Sequence, residues 1–153
     1  MAPVKILFVC TGNTCRSVIA EQLMKKMGAD KKIEAASAGV AANPHFPIPK
    51  AVPKVLAEVG IDSFQHTPTM LDERQINWAD YVLTIERAHR DYIHDKFPKA
   101  EKKTFLLKEF ASAANAGFST HEVADPIGGS EEIYRQCVLD IKQAIQGILG
   151  KLP

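Results

Sequence analysis

The sequence has little of three features that would place it in a specialised class of protein: cysteine, net charge and long hydrophobic runs. Only three cysteines occur in 153 residues, which excludes a secreted disulfide framework. A formal net charge of +1 excludes strong overall attraction to nucleic acid or to an anionic membrane. No apolar run reaches the roughly 18 residues of a membrane-spanning helix, and the first residues lack the pattern of a secretory signal. We therefore expect a cytoplasmic protein with neither nucleic-acid nor membrane partners.

The remaining composition is that of an ordinary soluble domain, with 46% apolar and 24% charged residues. A chain of this length is sufficient for one domain with a core of normal size. Strand-like and helix-like segments alternate along it without a repeat or a linker. We predict a single α/β domain over residues 1–153, doubly wound, with a parallel sheet of about four strands and helices on both faces.

Apolar patterning gives the approximate positions of these elements. Strands are predicted at Val4–Val9, Ile33–Ala38, Tyr81–Ile85 and Thr104–Leu107. Helices are predicted from Val18 to Gly28, from Val52 to Gly60, in a short segment capped by Asp72, from Arg87 to Phe97, and from Glu131 onward. Residues 111–130 are rich in small residues and are predicted to be a turn-prone connection. Ligands of such sheets bind at the carboxyl ends of the strands.

The most informative segment begins where the first strand ends. Cys10 follows buried strand residues and precedes, after five intervening residues, an arginine that opens a helix. A turn of this kind directs backbone N–H groups inward at a helix N-terminus, which creates an oxyanion site and favours the thiolate form of cysteine. Arg16 adds a planar group that can bind two phosphate oxygens. We interpret the segment as the nucleophile and phosphate-binding loop of a cysteine-dependent phosphatase; the alternative is a strand–helix connection with a buried cysteine. The predicted loop comprises Thr11, Gly12, Asn13, Thr14, Cys15, Arg16 and Ser17.

The segment resembles the signature of the low-molecular-weight protein tyrosine phosphatase family, in which a cysteine near the N-terminus is followed by five residues and Arg-Ser. That family carries its general acid in an Asp-Pro pair before the last helix, where this chain has Asp125-Pro126. The resemblance thus covers nearly the whole chain. It implies a phosphotyrosine protein phosphatase I-like fold and hydrolysis through a phosphocysteine, without a cofactor. Cys10, Arg16 and Asp125 are the expected catalytic residues, with Asp125 as acid and then base.

Four further polar residues are expected to support the loop. Ser17 directly follows Arg16, as in the family, and is expected to donate a hydrogen bond to the Cys10 thiolate, although an ordinary helical serine is the alternative. Asn13 tolerates left-handed backbone and is expected to fix the loop shape. His66 matches a family histidine that braces the loop. Cys15 matches a family cysteine that forms a reversible disulfide with the nucleophile, or else it is a packing residue. The histidines show no metal-ligand spacing, and no metal is expected.

Thr14 and Ile127 bear on the substrate. Tyrosine-specific members of the family carry a larger aliphatic residue at the position of Thr14, whereas members that act on phosphoarginine have Thr-Cys-Arg-Ser, as here. Eukaryotic tyrosine phosphatases place aromatic residues after Asp-Pro. This chain has Ile127-Gly-Gly-Ser, similar to the Phe-Gly-Gly-Ser of bacterial protein arginine phosphatases, and Phe46 is a candidate for an aromatic wall or else a core residue. We favour phosphoarginine over phosphotyrosine, on phosphorylated protein substrates, in a monomer.

Two other functions are open to the same sequence. Arsenate reductases of this fold relay oxidation through two additional downstream cysteines, but this chain has only Cys137 there, which is predicted to be a core residue of the last helix. A non-catalytic phosphoprotein-binding module would not need both Cys10 and Asp125. Both alternatives are therefore less well supported than a phosphatase.

Overall fold

The computed structural model describes residues 2–112 and 121–152, and these form one parallel sheet with helices around it. The strands are β1 (Val4–Cys10), β2 (Ile33–Gly39), β3 (Tyr81–Thr84) and β4 (Thr104–Leu106). The α-helices are α1 (Arg16–Met27), α2 (Ala51–Ala57), α3 (Glu73–Trp78), α4 (Arg87–Lys96), α5 (Leu107–Ser112) and α6 (Glu131–Lys151). A 3₁₀ helix, Pro98–Lys103, precedes β4. In this part of the chain, no helix is both long and apolar enough to cross a bilayer.

The four strands are all parallel and lie in the order β2-β1-β3-β4. The chain moves from β1 to β2 on one side and later returns to place β3 on the other side of β1. Between β1 and β3 the winding therefore reverses, and ligands of doubly wound sheets bind at such a switch point. Cys10 is the last residue of β1 and pairs with Gly39, the last residue of β2. The predicted fold class is confirmed, and the cysteine lies at its switch point.

Each face of the sheet supports its own core because side chains alternate along a strand. Ile6 and Phe8 belong to the core shared with α1, α2, α5 and α6. Leu7 and Val9 point the other way and belong to the core shared with α3 and α4. All four side chains are fully buried. With both faces of β1 packed, its carboxyl end is a rigid base for the loop that follows.

The structure corrects the prediction for the segment that follows β4. Leu107 was predicted as the end of a strand, and residues 111–130 as a turn-prone connection; instead, Leu107–Ser112 forms α5. Phe110 and Ala111 are buried in the core that contains Ile6 and Phe8. Helix α6 approaches them closely at Gly147, where a Cβ atom would lie 3.0 Å from the carbonyl oxygen of Ala111. The middle of the predicted connection, residues 113–120, lies outside the described residues.

Candidate active site

The loop after β1 surrounds the sulfur of Cys10. This side chain is only 3% exposed. The backbone N–H of Asn13 donates to Sγ at 3.3 Å, and the Ser17 hydroxyl lies 2.9 Å from Sγ. Asn13 has φ of 56°, a left-handed conformation that asparagine tolerates better than most residues. Helix α1 then begins at Arg16 without a side-chain cap, so the amides of its first turn remain available to an anion.

The side chain of Asn13 fixes the direction of the hydrogen bond to the sulfur. Its Oδ1 accepts from the backbone N–H of Thr69 at 2.9 Å, which identifies the other end as the amide nitrogen. That nitrogen donates to Ser17 Oγ at 2.8 Å and to Ser37 Oγ at 3.0 Å. Because an amide N–H₂ can only donate, the Ser17 oxygen accepts, and its own proton is free to point at Cys10. This geometry stabilises a thiolate.

A second layer of polar contacts supports Asn13 from below. Ser37 donates a hydrogen bond to the buried carboxylate of Glu21 at 2.5 Å, and Lys25 forms an ion pair with that carboxylate at 2.6 Å. On the opposite side, His66 Nε2 donates to the carbonyl oxygen of Asn13 at 2.9 Å. His66 therefore contacts the loop backbone and not the pocket, which is the bracing position expected for it.

Gly39 allows the loop to lie directly on the end of β2. A Cβ atom at this position would lie 2.5 Å from the Thr11 carbonyl oxygen and 2.9 Å from the Asn13 nitrogen, closer than side-chain atoms are found to backbone. Any larger residue at position 39 would displace the loop from the sheet.

Arg16 is buried and anchored at one of its two terminal nitrogens. Nη1 donates to the carboxylate of Glu86 and, at 2.8 Å, to the carbonyl oxygen of Val123. Both of its protons are thereby used. The Nε and Nη2 atoms form the opposite edge, and Asp125 Oδ2 lies 3.8 Å from Nη2. This edge can donate two parallel hydrogen bonds to phosphoryl oxygens.

Asp125 lines the same pocket as Cys10, and half of its side chain is exposed. Its Oδ1 accepts from the backbone N–H of Ile127 at 3.0 Å, which makes a local turn around Pro126. The pocket has a volume of about 260 Å³ and contains Cys10, Arg16 and Asp125 together. Thr14 lines it as a buried residue, whereas Phe46 and Ile127 lie at its opening, with 62% and 61% exposure. Phe46 is thus a wall residue and not part of the core.

The three cysteines are all free thiols, but their surroundings differ. Burial is the main cause that raises the pKa of Cys15 above its ordinary value. Burial also raises the pKa of Cys137, to about 12, and this residue packs in the core that contains Ile6 and Phe8. Both are therefore protonated near neutral pH, so neither competes with Cys10 as a nucleophile.

Glu86 and His89 are parts of the site that the sequence analysis missed. Glu86 holds Arg16, and His89 Nε2 lies 2.8 Å from the hydroxyl of Thr11. A signal was present, because Glu86 follows β3 at the edge of the sheet where ligands bind. Glu21 and Ser37 carried no such signal. In the described part of the chain, no three potential metal-ligating side chains cluster.

Fold and site together define a class of enzyme. A cysteine at the switch point of a parallel sheet, a helix N-terminus beside it, and an arginine edge facing the same pocket are suited to bind a phosphoryl group and attack its phosphorus. The half-exposed carboxyl group of Asp125 lines the same pocket and is suited to donate and accept a proton. These are the features of a cysteine-dependent phosphatase.

Comparison with known proteins identifies the family. The family described as low molecular weight phosphotyrosine protein phosphatase matches residues 5–153, and the chain belongs to it. A protein-arginine-phosphatase from Geobacillus stearothermophilus is 38% identical over 98% of this chain and 97% of its own length. One from Bacillus subtilis is 33% identical over 96% and 95%. The structure of a low molecular weight protein tyrosine phosphatase from T. tengcongensis, 35% identical, superposes with a TM-score of 0.88 over 97% of this chain and 99% of its own. The protein is therefore a phosphatase, as predicted.

Proposed function

We propose that the protein removes phosphoryl groups from phosphoarginine side chains of proteins through a phosphocysteine intermediate. The observation that carries the substrate assignment is Thr14, a buried polar residue that lines the pocket of Cys10 and Arg16 and whose hydroxyl lies 3.7 Å from Cys15 Sγ. The two relatives named protein-arginine-phosphatases support the same assignment.

In the first step, the Cys10 thiolate attacks phosphorus in line with the leaving nitrogen. The S–P bond forms as the P–N bond breaks, and protonated Asp125 delivers its proton to the departing guanidine nitrogen. The Nε/Nη2 edge of Arg16 and the amides at the start of α1 donate to the phosphoryl oxygens, where charge is stabilised in the transition state. Glu86 and the Val123 carbonyl hold the arginine in place from behind.

In the second step, water hydrolyses the phosphocysteine. Asp125, now a carboxylate, takes a proton from the water as its oxygen attacks phosphorus and the S–P bond breaks. The products are inorganic phosphate and the Cys10 thiolate. Ser17, oriented by Asn13, donates to the departing sulfur, 2.9 Å away in the resting site. Both steps use groups of the protein and a water molecule, without a cofactor.

Thr14 suits a guanidinium better than a phenol ring. Its hydroxyl can accept a hydrogen bond from a guanidinium N–H, which an aliphatic side chain cannot do. A second candidate substrate is phosphotyrosine, and one observation favours it: the exposed ring of Phe46 at the pocket opening could stack on a phenol. The buried Thr14 favours phosphoarginine as the substrate, and the exposed Phe46 favours phosphotyrosine.

We propose further that the enzyme acts as a monomer in the reducing cytoplasm, with phosphorylated proteins as its partners. The free thiols of Cys10 and Cys15 in one loop support this setting. They also support a reversible disulfide between the two after a peroxide has oxidised the Cys10 thiolate to a sulfenic acid, the peroxide leaving as hydroxide. The Cys15 thiol then attacks the sulfenic sulfur, and water leaves.

Matched peptides that carry phosphoarginine or phosphotyrosine in one sequence test the substrate assignment. Wild type should show the higher kcat/KM on phosphoarginine. Thr14→Ile should reduce that preference by roughly 1–3 kcal/mol of transition-state discrimination, whereas the control Thr14→Ser, which keeps the hydroxyl, should preserve it. A wild type that favours phosphotyrosine, with the ratio unchanged in Thr14→Ile, would contradict the assignment.

A further inference from the structure

A hydrogen-bonded chain leads from helix α4 to the pocket through a buried histidine. His89 lies in the first turn of α4 and is 3% exposed. Its Nδ1 accepts from the backbone N–H of Glu86 at 3.1 Å. Since a backbone N–H can only donate, Nδ1 carries no proton, and in the neutral ring the proton is on Nε2. Nε2 lies 2.8 Å from the hydroxyl oxygen of Thr11, so the histidine donates and Thr11 accepts.

The neutral ring is also the form that its surroundings favour. Burial, followed by the positive charge of Arg16, lowers the pKa of His89 to about 4. The carboxylates of Glu86, Glu122 and Asp125 face it and act in the opposite direction, but their effect is smaller. The direction of the hydrogen bond to Thr11 is therefore constant throughout the neutral range.

This direction leaves the proton of the Thr11 hydroxyl unused. Across residues 2–112 and 121–152, His89 is the only side chain that hydrogen-bonds to this hydroxyl. Thr11 directly follows Cys10, is exposed, and lines the same pocket as Cys10, Arg16 and Asp125. A hydroxyl whose oxygen is held from behind by a buried donor presents its own proton to whatever occupies that pocket.

The start of α4 therefore holds the loop at two points. The carboxylate of Glu86 binds Arg16, and the ring of His89 binds Thr11. Arg16 and Thr11 both line the Cys10 pocket. Thr11 lies at the start of the loop, and Arg16 lies near its end.

We propose that Thr11 is a further catalytic residue, whose hydroxyl donates a hydrogen bond to a non-bridging phosphoryl oxygen in the transition state, and that His89 is its positioning residue. The inference rests on the proposed function, because it requires a phosphoryl group above Cys10. A donor fixed in advance at the position where negative charge develops lowers the barrier without reorganisation.

His89 also caps helix α4, because its Nδ1 accepts from the N–H of Glu86. Two substitutions separate this cap from the contact with Thr11. Asparagine can reproduce the acceptor at Nδ1 but not the donor at Nε2, so His89→Asn keeps the cap and removes the contact with Thr11. Glutamine reaches as far as Nε2, so His89→Gln keeps a donor for Thr11 and removes the cap. Thr11→Val removes the hydroxyl at constant shape, and Thr11→Ser restores it. The matched control is His94→Asn, on the same helix but away from the pocket.

Thr11→Val and His89→Asn should each lower kcat about 10- to 100-fold with little change in KM, and the double variant should be no worse than Thr11→Val, since the two residues act as a unit. Thr11→Ser should recover most of the kcat that Thr11→Val loses, and the control His94→Asn should resemble wild type. His89→Gln should lower the melting temperature, and its kcat should fall less than that of His89→Asn. A loss of kcat that follows the melting temperature across all variants would overturn the inference.

Anion binding gives a second measurement that needs no turnover. Vanadate resembles the five-coordinate transition state, whereas phosphate resembles the ground state. Calorimetry should show vanadate binding weakened about 10- to 100-fold in Thr11→Val, and phosphate binding changed by no more than about twofold. Equal affinities in wild type and Thr11→Val would overturn the role of Thr11. A wild type that binds both anions but hydrolyses neither phosphopeptide would instead overturn the proposed function.

Discussion

The two halves of the active site, the loop Cys10–Ser17 and the segment Asp125–Ser130, are held in very different ways. Asn13, Arg16 and Ser17 are buried, and each makes hydrogen bonds to other side chains or to distant backbone. The acid segment is largely exposed, apart from a buried Pro126 and a half-buried Gly129. Its internal contacts are short-range turns: Asp125 accepts from the Ile127 N–H, and the Gly129 N–H donates to the Pro126 carbonyl at 2.8 Å.

The acid segment is tied down mainly at its two ends. At one end, the Val123 N–H donates to the Ile85 carbonyl at 3.2 Å, and the Val123 carbonyl accepts from Arg16. At the other, Ser130 caps α6. Between them, Gly128 has φ of 80°, and a Cβ atom there would meet nothing within 4 Å. Movement of this stretch breaks few contacts, whereas movement of the loop disrupts a buried network.

This difference matches two chemical tasks. Charge on the phosphoryl oxygens appears at the same place in both steps, and fixed donors stabilise it best. In the proposed mechanism the acid instead approaches a leaving nitrogen first and a water molecule afterwards, which favours an adjustable segment. We infer that the loop acts on the phosphoryl group and the acid segment on the leaving group and the water.

Removal of the nucleophile should produce the largest effect. Cys10→Ser should lower kcat by at least about 10⁴-fold, because a hydroxyl is a far weaker nucleophile than a thiolate. Phosphate should still bind, since Arg16 and the loop amides remain. Steady-state kinetics and calorimetry on the same preparation measure both. Cys15→Ser is the matched control and should retain most activity; a comparable loss in both variants would show that the loop had collapsed.

Substitution of the loop arginine should have the next largest effect. Arg16→Lys keeps the charge but loses the two-atom edge, so kcat should fall by about 10²–10³-fold with a smaller change in KM. Glu86→Gln, which weakens the anchor of Arg16 and keeps its edge, should cost less. If Arg16→Lys retained wild-type kinetics, the arginine would be a structural residue only.

Acid should weaken the folded state through His89, and this effect is the smallest. The unfolded chain protonates this histidine below about pH 6.5, whereas the folded protein does so only near pH 4. The free energy of unfolding should therefore fall as pH drops from 6.5 to 4, by up to about 3 kcal/mol from this group. Urea unfolding across that range should show a shallower fall in His89→Asn. If the free energy of unfolding fell equally with pH in wild type and His89→Asn, the lowered pKa of His89 would be contradicted.

The sequence predicted the parts of the site that are contiguous along the chain. Cys10 and Arg16 lie in one short motif whose spacing is set by the turn itself, and Asp125 is marked by its proline and by the helix that follows. Glu86 and His89 come from a segment some 70 residues away. Their contacts with the loop depend on β3 lying beside β1, and no local pattern encodes that neighbourhood.

The same reason explains the error in the fold. The predicted parallel sheet with helices on both faces is confirmed, because each long element carries its own periodicity. Helix α5 has only six residues, too few for a periodic signal, and it is stabilised by packing on α6. Tertiary contacts determine its structure, and these are not visible in a window of sequence.

The division of labour between loop and acid segment is tested most directly by leaving-group dependence. Asp125→Asn should lower kcat by roughly 10²–10⁴-fold on substrates with poor leaving groups, and the loss in the phosphorylation step should shrink as the leaving group improves. Arg16→Lys should lower that step equally on every substrate, because the phosphoryl group is the same in all of them. Single-turnover rates over a series of aryl phosphates of graded leaving-group pKa, for wild type and both variants, give this comparison. A loss in Asp125→Asn that is the same across the series would contradict the account.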